Sequence, residues 1–168
     1  MTFKKSIITC FQKYFTFSGR ASRSEYWWFF LFTVLGGFAA GFLEGFINAA
    51  SGTPGGPTLL SGAFNLATFI PGLAVGWRRM HDSGRSGLYL LYPLIAMVGV
   101  AVFIGMFAET EVLTGSDPST LFGGAFGLIL IFALAIVALS PFIVLFWLTR
   151  PSQPGPNIYG PNPHEVTP

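Results

Sequence analysis

Five residues that can carry charge or move a proton stand close together in the stretch WRRMHDSGRSG: Arg78, Arg79, His81, Asp82 and Arg85. Three more, Arg20, Arg23 and Glu25, stand together in SGRASRSEYWW. Guanidinium groups in such numbers suit phosphate or carboxylate, because each offers a planar fork of N–H donors. A histidine beside an aspartate raises a second possibility, acid–base or nucleophilic catalysis.

The catalytic readings fail on spacing. Adjacent residues such as His81 and Asp82 diverge on a helix and cannot orient one another without a sharp turn. Gly84-Arg85-Ser86-Gly87 has the form G-x-S-G of intramembrane serine proteases, but His81 and His164 both lie outside the apolar runs, so no buried base can serve Ser86. There is no H-E-x-x-H, no phosphate-binding P-loop and no glycine-rich dinucleotide fingerprint. A single cysteine, Cys10, excludes an intrachain disulfide and a multi-cysteine metal site. The expectation is a protein with no catalytic, metal-ligating or cofactor-binding residues and no nucleic-acid partner.

The elements that must position these residues belong in lipid. Hydrophobic residues make up 52% of the chain and charged residues 10%, too little polar surface to cover a soluble domain of 168 residues. Four apolar runs, 26–47, 59–77, 88–108 and 121–148 (or from Pro118), each approach or exceed the length of about 20 residues that crosses a bilayer as a helix. Helix punctuation marks their ends. Ser22 with Glu25 forms a capping-box pattern before the first, Ser86 is placed to cap the third, and Asp117-Pro118 reads as the start of the fourth. The fold class expected is an all-α membrane protein with a bundle of four transmembrane helices in a single domain.

Charge gives the orientation. All nine Lys and Arg fall on one side of these spans, while the other side holds Glu44, Glu109, Glu111 and Asp117. The positive-inside rule then puts both termini in the cytoplasm. Residues 1–21 carry Phe3, Ile7, Phe11 and Tyr14 at helical spacing among Lys4, Lys5 and Lys13. That pattern fits either an amphipathic helix in the membrane interface or one packed on the floor of the bundle. Residues 149–168 are too rich in Pro, Gly and Asn for a regular element and read as a short cytoplasmic tail.

Two halves of the chain follow one pattern, and this makes a pair of repeated helical hairpins conceivable. Ser18-Gly19-Arg20 and Ser83-Gly84-Arg85 each precede an apolar run, and Pro71 and Pro141 each stand six residues before Trp77 and Trp147. Small-residue stripes at Gly37, Gly41 and Gly45, at Gly72 and Gly76, and at Gly123 and Gly127 permit close helix packing within the chain or against a second copy.

These motifs resemble the bacterial YhaH/YhaI-like inner-membrane family, domain of unknown function 805. The resemblance rests on three blocks. Gly19, Arg20, Arg23, Glu25, Tyr26 and Trp27 match the first; Arg78, Arg79, His81, Asp82, Gly84, Arg85, Ser86 and Gly87 match the second; Asn157, Tyr159, Gly160, Pro161 and Pro163 match the third. Met80 replaces the usual leucine, a volume-preserving change. The resemblance implies a small multi-spanning membrane protein and no established activity.

The functional expectation is a non-catalytic binding or structural role for a basic rim made of Arg20, Arg23, Glu25, Arg78, Arg79, His81, Asp82 and Arg85. Five arginines there meet two carboxylates, so some pair internally and the surplus faces anionic lipid head groups. On this view Asp82→Asn loosens the fold, whereas Arg79→Gln, with Arg79 taken as surplus, leaves it intact. The alternative is a small transporter whose Pro71, Pro93 and Pro141 bend their helices around an inward-facing vestibule.

Overall fold

A computed structural model describes residues 1–53, 55–107 and 123–165. Among them every regular element is helical: α1 Phe3–Gln12, α2 Arg23–Ala50, α3 Leu59–Asp82, a 3-10 turn Gly87–Leu91, α4 Tyr92–Met106 and α5 Gly124–Thr149. Four stretches, Arg23–Ala50, Leu59–Asp82, Gly87–Met106 and Gly124–Thr149, are long and apolar enough to cross a membrane. The Asp117-Pro118 start, Glu109 and Glu111 lie outside the described residues. The chain divides into two compact units, Met1–Gly87 with Arg150–Pro168, and Leu88–Thr149.

The first unit is built on the α2–α3 hairpin. Gly36 lies directly under the Phe64 ring, where a β-carbon would collide with it, and Phe32 packs on Phe64 at 5.6 Å. Gly37, next to Gly36 and the first residue of the small-residue stripe, faces Asn65 and Phe64 at ordinary contact distance. Gly41 and Gly45 are different: a methyl added at either meets no atom within 4 Å. At the acidic end Glu44 is buried and caps α3 from α2. Its carboxylate accepts from Leu60 N (2.7 Å) and Ser61 N (3.3 Å), orphan donors of the first turn of α3, and from Ser61 Oγ (2.5 Å). The sequence reading placed Glu44 at the outer interface, about 27 Å from Tyr26, without foreseeing this cap.

Helix α1 packs on the hairpin, the second of the two placements foreseen for it. It lies against the first turns of α2, with Phe3 against Trp28 and Phe11 against Phe29 and Phe32, and buries Ser6 and Cys10 one turn apart. Its other side exposes Lys4 and Lys5 beside Ile8.

The prolines explain how α1 is held. Pro71, inside α3, has no N–H to give the carbonyl four residues back, that of Ala67. Tyr14 Oη donates to that carbonyl at 3.0 Å, so the segment after α1 fills the gap in the α3 ladder. Pro141 does the same to Val137, whose carbonyl accepts from Ser140 Oγ at 2.9 Å. Pro93 falls in the first turn of α4, where amides have no intrahelical acceptor, so it breaks no helical bond and the bend expected there has no basis. In lipid an orphan carbonyl finds no water, hence these replacements. Tyr14→Phe should lower stability by about 1–3 kcal/mol, and by much less in a Pro71→Ala background, where the ladder is intact. Equal losses in both backgrounds, measured by thermal unfolding, would show that Tyr14 acts by some other contact.

The second unit pairs α4 with α5 through Phe103, Phe107 and Phe126, with ring centroids 5.0 to 5.3 Å apart, and through Tyr89 on Trp147 at 5.2 Å. It contains none of the rim arginines.

Candidate functional site

WRRMHDSGRSG forms the end of a helix and the turn that stops it. α3 continues five residues past Trp77 to Asp82, and then stops in a Schellman turn. Arg85 N donates to Met80 O (3.0 Å) and Gly84 N to His81 O (3.0 Å), with Gly84 at φ +77°, a conformation suited to glycine. As a result Arg78, Arg79, Met80, His81 and Asp82 are all buried.

Asp82 is the centre of the site and is 0% exposed. Arg20 Nε donates to its Oδ1 at 2.9 Å, Ser152 Oγ to its Oδ2 at 2.6 Å, and Arg79 Nη1 also to its Oδ2. Arg79 turns its other nitrogen to the carbonyl of Arg150. Arg20 is spread over the chain after α5: Nη2 donates to Gln153 O (2.6 Å) and Nη1 to Gly155 O (2.7 Å). One carboxylate thus joins the entry to α2, the end of α3 and the segment that follows α5.

A second ion pair lies beneath α1. Arg78 Nη1 donates to Glu25 Oε1 at 2.7 Å, and both side chains are buried. Only half of the predicted capping box forms. Ser22 Oγ accepts from Glu25 N (3.2 Å), but the Glu25 carboxylate goes to Arg78. Among the described residues, Nε and Nη2 of Arg78 have no hydrogen-bond partner. Cys10 is a close neighbour. Burial pushes its thiol up to about 12, with the charge of Glu25 adding to that and the charge of Arg78 opposing it.

His81 works as a spacer. Its Nδ1 is 3.1 Å from Gly19 O, and its ring stacks on Tyr159 with centroids 3.8 Å apart and planes 3° from parallel. Asn157 Nδ2 donates to His81 O (3.0 Å), and Gln153 N to Asp82 O (2.9 Å). Residues 150–165 therefore do not trail away as the tail expected from composition. They are irregular, yet they close the site through Ser152, Gln153, Gly155, Asn157 and Tyr159. The available signal was asparagine turn chemistry: Asn157 Oδ1 accepts from Tyr159 N (2.9 Å) and Asn162 Oδ1 from His164 N (3.0 Å).

Arg20, Glu25, Arg78, Arg79, His81 and Asp82 are brought together in this unit; Arg23 and Arg85 are not part of the buried set. Arg23 is exposed, and Arg85, half-buried, donates to Ser83 O at 3.1 Å. The expectation that Arg79 is a surplus cation facing head groups is overturned: it is 0% exposed and held by Asp82 and the Arg150 carbonyl.

Such a fold and such a site define an all-helical integral membrane protein whose charged motifs are sequestered from solvent. The chain belongs to the family described as "Protein of unknown function (DUF805)", which it matches over residues 14–161, a range that includes the first two signature blocks and the third as far as Pro161. It is 34% identical over 110 residues to inner membrane protein YhaI of Escherichia coli K12, covering 66% of this chain and 87% of that protein. It is also 34% identical over 93 residues to inner membrane protein YhaH of the same strain, covering 55% of this chain and 75% of that protein. No solved structure matches it.

Proposed function

We propose that this protein is a non-catalytic module of the bacterial inner membrane, with both termini in the cytoplasm, whose signature residues lock its chain ends to the α2–α3 hairpin and whose exposed cations hold anionic lipid. The observation that carries the structural half is the burial of Arg20, Arg79 and Asp82 in one network that spans all three signature blocks. A site engaged on every side by its own chain is suited to holding the fold. The names of the two relatives and the confinement of all nine Lys and Arg to one side support the compartment and orientation.

The lipid half moves from the buried arginines to Lys4, Lys5 and Arg23, which are exposed. Cations at the membrane surface gain about 1 kcal/mol each from an anionic leaflet. Native mass spectrometry of protein released from mixed phosphatidylcholine and phosphatidylglycerol nanodiscs tests this. Wild type should retain phosphatidylglycerol in excess of its share, and a Lys4→Gln, Lys5→Gln, Arg23→Gln triple variant should lose most of that excess with its melting temperature unchanged. Retention in proportion to bulk lipid by wild type would refute the lipid half.

A further inference from the structure

Three guanidinium groups, Arg20, Arg78 and Arg79, are buried beside Glu25 and Asp82, and they are not satisfied alike. A guanidinium donor left without an acceptor away from water is costly, and proteins relieve it with a bound anion or a partner. The unmet donors lie in one place. Asp82 is shared between Arg20 and Arg79, whose remaining nitrogens find backbone carbonyls. Arg78 has Glu25 on Nη1 alone.

The two nitrogens of Arg78 that lack a partner, Nε and Nη2, form one edge of the guanidinium. That edge is the fork that matches two oxygens of a phosphate or carboxylate. The nearby group is the Cys10 thiol, kept protonated by its burial and a weak acceptor. Cys10 belongs to α1, so α1 is the element that packs over Arg78. It is a short helix with small Ser6 and Cys10 on its inner side and Lys4 and Lys5 on its outer side.

We propose that Arg78 is a binding site for a singly charged phosphate group, reached when α1 lifts from the α2–α3 pair, with Nε and Nη2 as the fork and Glu25 holding the far side of the guanidinium. A phosphodiester offers two acceptor oxygens to such a fork with a single negative charge. An anionic lipid head group and free inorganic phosphate share this chemistry. The inference rests on the lipid half of the proposed function, since Lys4 and Lys5 would gather the anion at the helix that must move.

Cys10 is the only cysteine and sits on the buried side of α1, so it reports the movement directly. Purified full-length protein would be reacted with N-ethylmaleimide in phosphatidylcholine nanodiscs, in the same nanodiscs with inorganic phosphate, and in nanodiscs containing phosphatidylglycerol, with adduct formation followed by mass. Labelling should be at least about five-fold faster with a phosphate source that reaches Arg78, because lifting α1 exposes the thiol. Acceleration by phosphatidylglycerol alone identifies lipid as the source; acceleration by inorganic phosphate as well identifies the ion. Arg78→Lys, which keeps the charge for Glu25 but has no fork, should abolish the acceleration. Lys4→Gln with Lys5→Gln, both at exposed positions, should reduce it without abolishing it.

Equal labelling in all three wild-type conditions overturns the proposal, and so does acceleration that survives Arg78→Lys or vanishes entirely with Lys4→Gln and Lys5→Gln. Retention of phosphatidylglycerol by a protein whose Cys10 labelling ignores it would sink the Arg78 site and leave the surface reading standing. Absence of retention removes the surface reading itself.

Discussion

Asp82→Asn should lower the stability of the protein by about 3–5 kcal/mol, the usual range for removing one partner of a buried ion pair. The substitution keeps the size and a hydrogen-bonding oxygen, but two arginines lose their shared counter-charge and a third donor, Ser152, loses a charged acceptor. Arg79→Gln should cost a similar amount, since it leaves both Asp82 and the Arg150 carbonyl short of a donor. The contrast lies with Arg23→Gln, an exposed position, where a change within about 0.5 kcal/mol is expected. Thermal unfolding of the three variants in one detergent provides the comparison. If Arg79→Gln behaved like Arg23→Gln, the network would not have the connectivity described.

Ending the chain after Arg150 should be at least as damaging. Arg20 then loses the carbonyls of Gln153 and Gly155, and Asp82 loses Ser152. Hydrogen bonds to charged groups contribute about 1.5–3 kcal/mol each, so the two Arg20 bonds alone amount to roughly 3–6 kcal/mol. The shortened protein should aggregate or melt well below wild type on size-exclusion chromatography and heating. Replacing Arg20 by Met in the shortened chain should recover part of the loss, because the group left without acceptors is then gone. A shortened chain as stable as the full one would mean that residues 151–165 are ornament.

The membrane class, the four apolar helices and the family were legible because each is written locally, in runs of apolar residues and in short motifs. The helix boundaries were less so. Trp77 looked like the end of the second span because arginines follow it, yet α3 continues to Asp82 since Arg78 is paired by the distant Glu25, and Arg79 by Asp82, which Arg20 holds from before α2. Only the Arg79–Asp82 pair is local; no local pattern contains the other two. The same holds for Glu44, which caps a helix that begins 15 residues later, and for Tyr14, which answers a proline in another helix. The charge count led to Arg79 being taken as a surplus cation at the surface. Its location was misjudged because a signature rich in Pro, Gly and Asn was taken for a free tail, and only the folded segment puts Arg20 and Arg79 out of reach of lipid.

The bonds from Arg20 to residues 133 to 135 places further along the chain also set an order of events during synthesis. Translation at about 5–20 residues per second leaves Arg20 waiting roughly 7 to 27 s before its acceptors are made. Through that interval all four apolar helices emerge while an arginine destined for the interior has nowhere dry to go and stays hydrated at the membrane edge. The closing segment therefore acts as a completion mark: an interrupted chain keeps a wet, charged seam between its first helices, which distinguishes it from a finished one.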